Sequence, residues 1–117
     1  MKVTVGEIIN ANEALKQVNG DYPSKLSYSL AKLQSSFSTS LIAFEKVRGE
    51  LIKKYGEEQP DKNFKVTEGN MSVYIKEIND VCSAEDSTEF SPINISLFDG
   101  INFSKEFFVL MGKFISE

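Results

Sequence analysis

A chain of 117 residues, 41% hydrophobic and 26% charged, is long enough to bury one core and too apolar to stay disordered. Its formal net charge of −4 and single arginine, Arg48, argue against a nucleic-acid binder, whose affinity comes from Lys and Arg at phosphates. Histidine is absent and Cys82 is the sole cysteine, which removes the histidine-dependent triads, the common zinc sites and any internal disulfide.

Thr4 and Glu7 have the spacing of a capping box, in which each side chain satisfies a free N–H at a helix start. Val3 and Ile8 are placed for a hydrophobic staple across that cap. Ile8, Ala11, Leu15 and Val18 then form a modest apolar face, and Gly20 offers a left-handed stop. The alternation of Val3 and Val5 leaves a strand as the second reading of the first five residues.

A second helix is announced by Asp21 and Pro23 and carries the longest pattern in the chain. Tyr22, Leu26, Leu30, Leu33, Phe37, Leu41, Phe44, Val47, Leu51 and Tyr55 recur every three or four residues. Such a helix is about 50 Å long, whereas a compact domain of this size is roughly 35 Å across. The mismatch predicts an elongated protein, a kinked helix, or a stripe covered by a second copy. Gly49 is the weak point, costing about 1 kcal/mol relative to alanine, and marks a bend or a close backbone crossing. Serine and threonine fill Gln34 to Ser40, either as a solvated face or as a site of close helix approach. Lys53 and Lys54 suit the last turn, Gly56 the cap, and Pro60 prevents resumption.

Glu57 to Asn63 reads as a charged loop, followed by a short strand at Phe64-Lys65-Val66-Thr67. A third helix spans about Gly69 or Asn70 to Val81 or Cys82, with Met71, Tyr74, Ile75, Ile78, Val81 and Cys82 on one face. Cys82 fits that face as a small buried group. After an acidic linker from Ser83 to Ser91, Ile93, Ile95 and Leu97 alternate as a strand, the natural partner of Phe64 to Val66. Asp99-Gly100 makes a turn, and Asn102 or Ser104 caps a final helix bearing Phe103, Phe107, Phe108, Leu110, Met111, Phe114 and Ile115. That helix is apolar nearly all round, so it is either central to the fold or docks on a partner. Ile115 lies where fraying would expose it unless something holds it down.

Chemistry has little to work with. No phosphate loop, HExxH or EF-hand pattern occurs, and no cofactor or metal is expected. Glu57, Glu58, Asp80, Glu85, Asp86 and Glu89 could in principle serve a carboxylate-dependent enzyme, but acids in polar loops read as solvated surface. Glu45, Lys46, Arg48, Glu50, Lys53 and Lys54 read first as helix-surface ion pairs. Their functional alternative places Arg48 with Lys53, Lys54 or Tyr55 in an anion pocket between subunits. No signal peptide or run of about 20 apolar residues is found, so a cytoplasmic location without membrane contact is expected. The three Asn-x-Ser sequons, at Asn70, Asn94 and Asn102, then read as caps and turns.

Two segments carry a family likeness. Pro23-Ser24-Lys25-Leu26-Ser27-Tyr28-Ser29-Leu30-Ala31-Lys32 resembles the "L-P-x-K-L-A-Y-x-L-A-K" opening of a family of short phage and prophage proteins of unknown function. Phe44-Glu45-Lys46-Val47-Arg48-Gly49-Glu50-Leu51-Ile52-Lys53-Lys54-Tyr55-Gly56 resembles its "F-E-x-x-R-x-x-L-I-x-K-Y-G" signature. Phe64-Lys65-Val66, Ile75-Lys76-Glu77-Ile78 and Ile93-Asn94-Ile95 follow in that family's order, so the resemblance spans nearly the whole chain. It departs in the serine-rich middle and at Gly49. It implies a small phage-encoded protein in the cytoplasm of an infected bacterium, and supplies no reaction.

The combined expectation is one domain, residues 1–117, of α+β class and mainly α. It has a long central helix, three shorter helices and two short strands. The function expected is non-enzymatic: binding of a host or phage protein, as adaptor or inhibitor, by a homo-oligomer. A nucleotide-sequestering oligomer is the alternative, and a carboxylate enzyme the weaker one. The candidate binding residues are Arg48, Lys53, Lys54, Tyr55, Phe107, Phe108, Met111 and Phe114.

Overall fold

The computed structural model describes residues 2–18 and 20–117. In chain order they form β1 (Val3–Thr4), α1 (Val5–Lys16), α2 (Ser24–Tyr55), β2 (Gly56–Glu58), β3 (Phe64–Val66), α3 (Met71–Cys82), β4 (Glu85–Asp86), β5 (Ile93–Asn94), α4 (Lys105–Met111) and β6 (Ile115–Ser116). Short 3-10 turns at Glu68–Asn70, Ile95–Phe98 and Gly112–Phe114 join some of them. The class is α+β, mainly α, as the sequence predicts.

Both readings of the N-terminus hold, two residues apart. The Thr4 N–H donates to Glu7 Oε1 (3.0 Å) and the Glu7 N–H donates to Thr4 Oγ1 (3.2 Å), closing the capping box. Val3 and Ile8 are fully buried, as the staple requires. Val3–Thr4 also pairs antiparallel with Glu85–Asp86, which ties the chain start to the acidic linker. α1 ends at Lys16, before Gly20.

α2 runs unbroken for 32 residues, through Gly49. Its length of about 48 Å accounts for the 50 Å long axis of the molecule. The radius of gyration, 17.1 Å, exceeds the roughly 13 Å of a compact chain this size. Of the three outcomes predicted for the overlong helix, elongation is met and kinking is not.

The helix belongs to two different environments. Its first half buries Leu26, Leu30, Leu33 and Phe37 against α1, α4 and the segment from Phe90 to Phe98. Phe37 sits edge-on to Phe114 (4.7 Å between ring centroids) and beside Phe90 (5.6 Å). Phe98, Phe103, Phe107 and Phe108 form a second aromatic group. This is the base. The second half of α2 extends from it and packs on α3 and the β2–β3 hairpin, forming an arm.

Two expectations about the strands are corrected. Phe64–Val66 pairs with Gly56–Glu58, not with Ile93–Leu97, because a hairpin closes a short loop where the other pairing would bridge arm to base. Asn63 N donates to Asp61 Oδ1 and Lys62 adopts φ 68°, which turns the loop. Ile95 to Leu97 is a 3-10 turn begun by Asn94, whose side chain accepts from Ser96 N (2.9 Å). The alternation there therefore reflects a turn.

The final helix is shorter than predicted. Gly112 takes φ 49°, ψ −118°, a backbone region that side chains disfavour, and ends α4 at Met111. The chain then turns so that Ile115–Ser116 pairs in parallel with Ile93–Asn94. That pairing holds Ile115 in place. Lys113 adds a second tie, donating to the Lys2 carbonyl (3.1 Å) and pairing with Glu7 (3.2 Å).

Candidate interaction surface

The arm is assembled from a repeat the sequence displays and a glycine it conceals. Leu41, Phe44, Leu51 and Tyr55 continue the α2 stripe, and Tyr74, Ile78 and Val81 lie four and three residues apart on α3. Gly56 caps α2 as expected and joins it to the hairpin in extended conformation, φ −110°. A Cβ there would run into the Ile52 carbonyl oxygen and stand 2.9 Å from that of Lys65. Close backbone approach thus requires glycine at this position. The Tyr55 carbonyl accepts from Thr67 N (3.2 Å) and Asn70 Nδ2 (3.2 Å), which fixes the end of α2 to the start of α3.

What the arm lacks is an interior. Among the described residues, neither α2 beyond Phe37 nor any part of α3 contributes a fully buried side chain. Apolar groups on it face solvent instead: Ile42 is 72% exposed, Ile75 47%, Val73 45% and Met71 39%. Met71 and Ile75 are one turn apart on α3, beside the stripe that meets α2. Met71 and Val66 also line one shallow groove at the arm tip, with Glu57, Gln59, Lys65, Thr67 and Glu68. Phe64, two residues from Val66 on β3, projects to the same side of the strand. Glu77 on α3 has one carboxylate oxygen enclosed with no hydrogen-bond partner among the described residues. Such a group is a cost that a self-sufficient helix pair would avoid.

The predicted anion-binding residues do not converge within one chain. Arg48 Nη1 pairs with Glu45 Oε2 (3.3 Å) on its own helix, exposed to solvent. Lys53 and Lys54 lie five and six residues further on, about 140° and 120° around the helix in opposite senses. Lys54 is held above the usual lysine range by its hydrogen bond to Tyr55, by the charge interaction with Tyr55 and by the Glu77 carboxylate. Its Nζ stands 5.1 Å from the centroid of the Tyr55 ring.

The predicted C-terminal binding face is corrected. Phe107, Met111 and Phe114 are buried in the base, and Phe108 is half-buried against the same core. A helix apolar all round is here central to the fold, and its side chains are spent inside it. Of the two faces read from the sequence, the α2 stripe and the C-terminal helix, the second lies in the core. The residues sequence reasoning missed, Met71 and Ile75, were assigned to the α3 apolar face, which one neighbouring helix covers only in part.

Glu57 and Glu58 are exposed, and Asp86 accepts from Thr88 N (2.8 Å) as a turn residue. Burial pushes the Asp86 carboxyl up, but hydrogen bonds from Thr88 and Ser40 outweigh it and leave the group below its usual range. No cluster of three or more potential metal ligands occurs among the described residues. No described helix is long and apolar enough to cross a membrane. Comparison with protein-family models, with curated proteins and with solved structures gives no match.

Proposed function

We propose that this protein is a non-enzymatic accessory protein, encoded by a phage or prophage, that works by binding another protein through its arm. The observation that carries the reading is the contrast in burial along α2. One helix supplies four buried side chains to the base and none, among the described residues, to the arm. Large apolar groups left exposed beside a solvated rim mark association surfaces. The phage origin rests on the resemblance of Phe44 to Gly56 to the family signature. It assigns the arm, which contains that signature, to the shared task.

Capture from cells producing tagged chain tests the reading through paired variants. Met71→Lys with Ile75→Lys removes the apolar edge of α3. Tyr28→Lys with Val109→Lys alters two base residues that are each 69% exposed. A protein retained in stoichiometric amount by the wild type and the base variant, and released by the arm variant, supports the proposal. Retention unchanged by the arm substitutions overturns it.

A further inference from the structure

We infer that the occupant of the arm's apolar face is a second copy of this chain, the two arms packing antiparallel as the halves of a four-helix bundle. The inference rests on the reading of the arm as an association surface and names its partner. α2 and α3 already form an antiparallel pair with half-buried stripes, which is half of such a bundle. Laying Met71 and Ile75 against the same residues of another copy encloses what one chain leaves open. A two-fold contact needs only a surface that complements itself.

Charge favours this occupant and this orientation. Leu41 to Cys82 carries seven basic and eight acidic side chains, so a like arm meets it without net repulsion. The remainder of the chain carries six basic and nine acidic side chains. Antiparallel packing sends the two acidic bases to opposite ends, separated by several times the roughly 8 Å screening length of physiological salt. Parallel packing would set them side by side. A strongly charged host surface, by contrast, would gain little net attraction from an arm so nearly neutral overall.

The size also fits. The arm portion of α2 and α3 side by side cover about 22 by 20 Å, and the hairpin lengthens this by roughly 10 Å. That footprint, roughened by side chains, is on the order of the about 800 Å² that each partner of a stable dimer buries.

Sedimentation equilibrium of the untagged chain decides the matter, with Met71→Lys/Ile75→Lys as the arm variant and Tyr28→Lys/Val109→Lys as the base variant. The expected result is twice the 13.1 kDa chain mass for the wild type and base variant, and 13.1 kDa for the arm variant with its helical circular dichroism unchanged. Ile75→Cys in a Cys82→Ser background should then form an intermolecular disulfide, since antiparallel α3 helices bring their centres together. A wild type that stays at 13.1 kDa at every concentration overturns the second copy while leaving capture of a different protein by the arm to be read separately. A dimer that survives in the arm variant overturns both, because association then lies elsewhere. Should the double lysine variant unfold, Ile75→Ser, a smaller change at a 47% exposed position, gives the same comparison.

Discussion

The two halves of α2 have similar helical signals and opposite fates. From Leu26 to Phe37 every fourth or third side chain is enclosed; from Leu41 to Tyr55 the same spacing yields half-buried groups and the exposed Val47. The difference is not in the helix. It lies in what covers it: eleven buried core side chains from elsewhere in the chain around the first half, one helix and a hairpin of two three-residue strands beside the second. Periodicity therefore states which face of a helix is apolar, and it does not state whether the same chain can cover that face.

Removing one large side chain from each half should expose this contrast most strongly. Phe37→Ala deletes a fully buried ring that touches Phe90 and Phe114, and is expected to cost about 3–5 kcal/mol. Leu51→Ala removes a half-buried group and should cost about 1–2 kcal/mol in urea unfolding monitored by circular dichroism. Equal losses would mean that the arm is as well enclosed as the base. Gly56→Ala comes next, at about 2 kcal/mol, because the new methyl meets two carbonyl oxygens. Its damage should be local: faster amide exchange in the hairpin and the end of α2, with protection in α1 and α4 retained.

These positions also mark how far the sequence could be read. The capping box at Thr4 and Glu7, the extent of α2 and the position of α3 followed from local spacing, because local hydrogen bonds and one apolar face determine them. Strand partners did not, since Phe64–Val66 and Ile93–Asn94 differ little in pattern while their pairing depends on where the chain returns. The extended Gly56 was hidden by its resemblance to an ordinary helix cap. Of the candidate residues, Tyr55 lies at a structural junction and the phenylalanines lie in the core. Met71 and Ile75 were visible as apolar, but exposure is a property of neighbours and is written nowhere in their own helix.

Acid sharpens the comparison from the base side. The Thr4 backbone N–H, opposed by partial burial and aided by Lys113 and the Thr4 hydroxyl, holds Glu7 below its ordinary value of 4.5. A carboxyl depressed in the folded state contributes stability that is full above its unfolded value and is lost as pH falls through the folded one. Glu7→Gln should therefore lower Tm near neutrality, and the gap from wild type should close as the pH falls from 4.5 through the lower folded value. The arm should show no matching change: Leu51→Ala is expected to keep a constant deficit across the same range. A gap that persists in acid would mean that Glu7 acts through shape and not through its charge.

The smallest effect is the most discriminating for the arm. A Cβ at Gly49 would meet nothing within 4 Å, and α2 is continuous helix through this point. Glycine in an exposed helix interior is destabilising, so Gly49→Ala should raise stability by about 0.5–1 kcal/mol. Position 49 lies roughly 120° around α2 from the stripe that includes Phe37 and Tyr55, on the side of Ile42 and Lys53. An arm pair joined through Met71 and Ile75 of α3 leaves that side free, and the gain should appear in full at dimer-forming concentrations. A loss in place of the gain, present only where the chain associates, would mean that a second backbone comes close at Gly49 and that the two arms meet across α2.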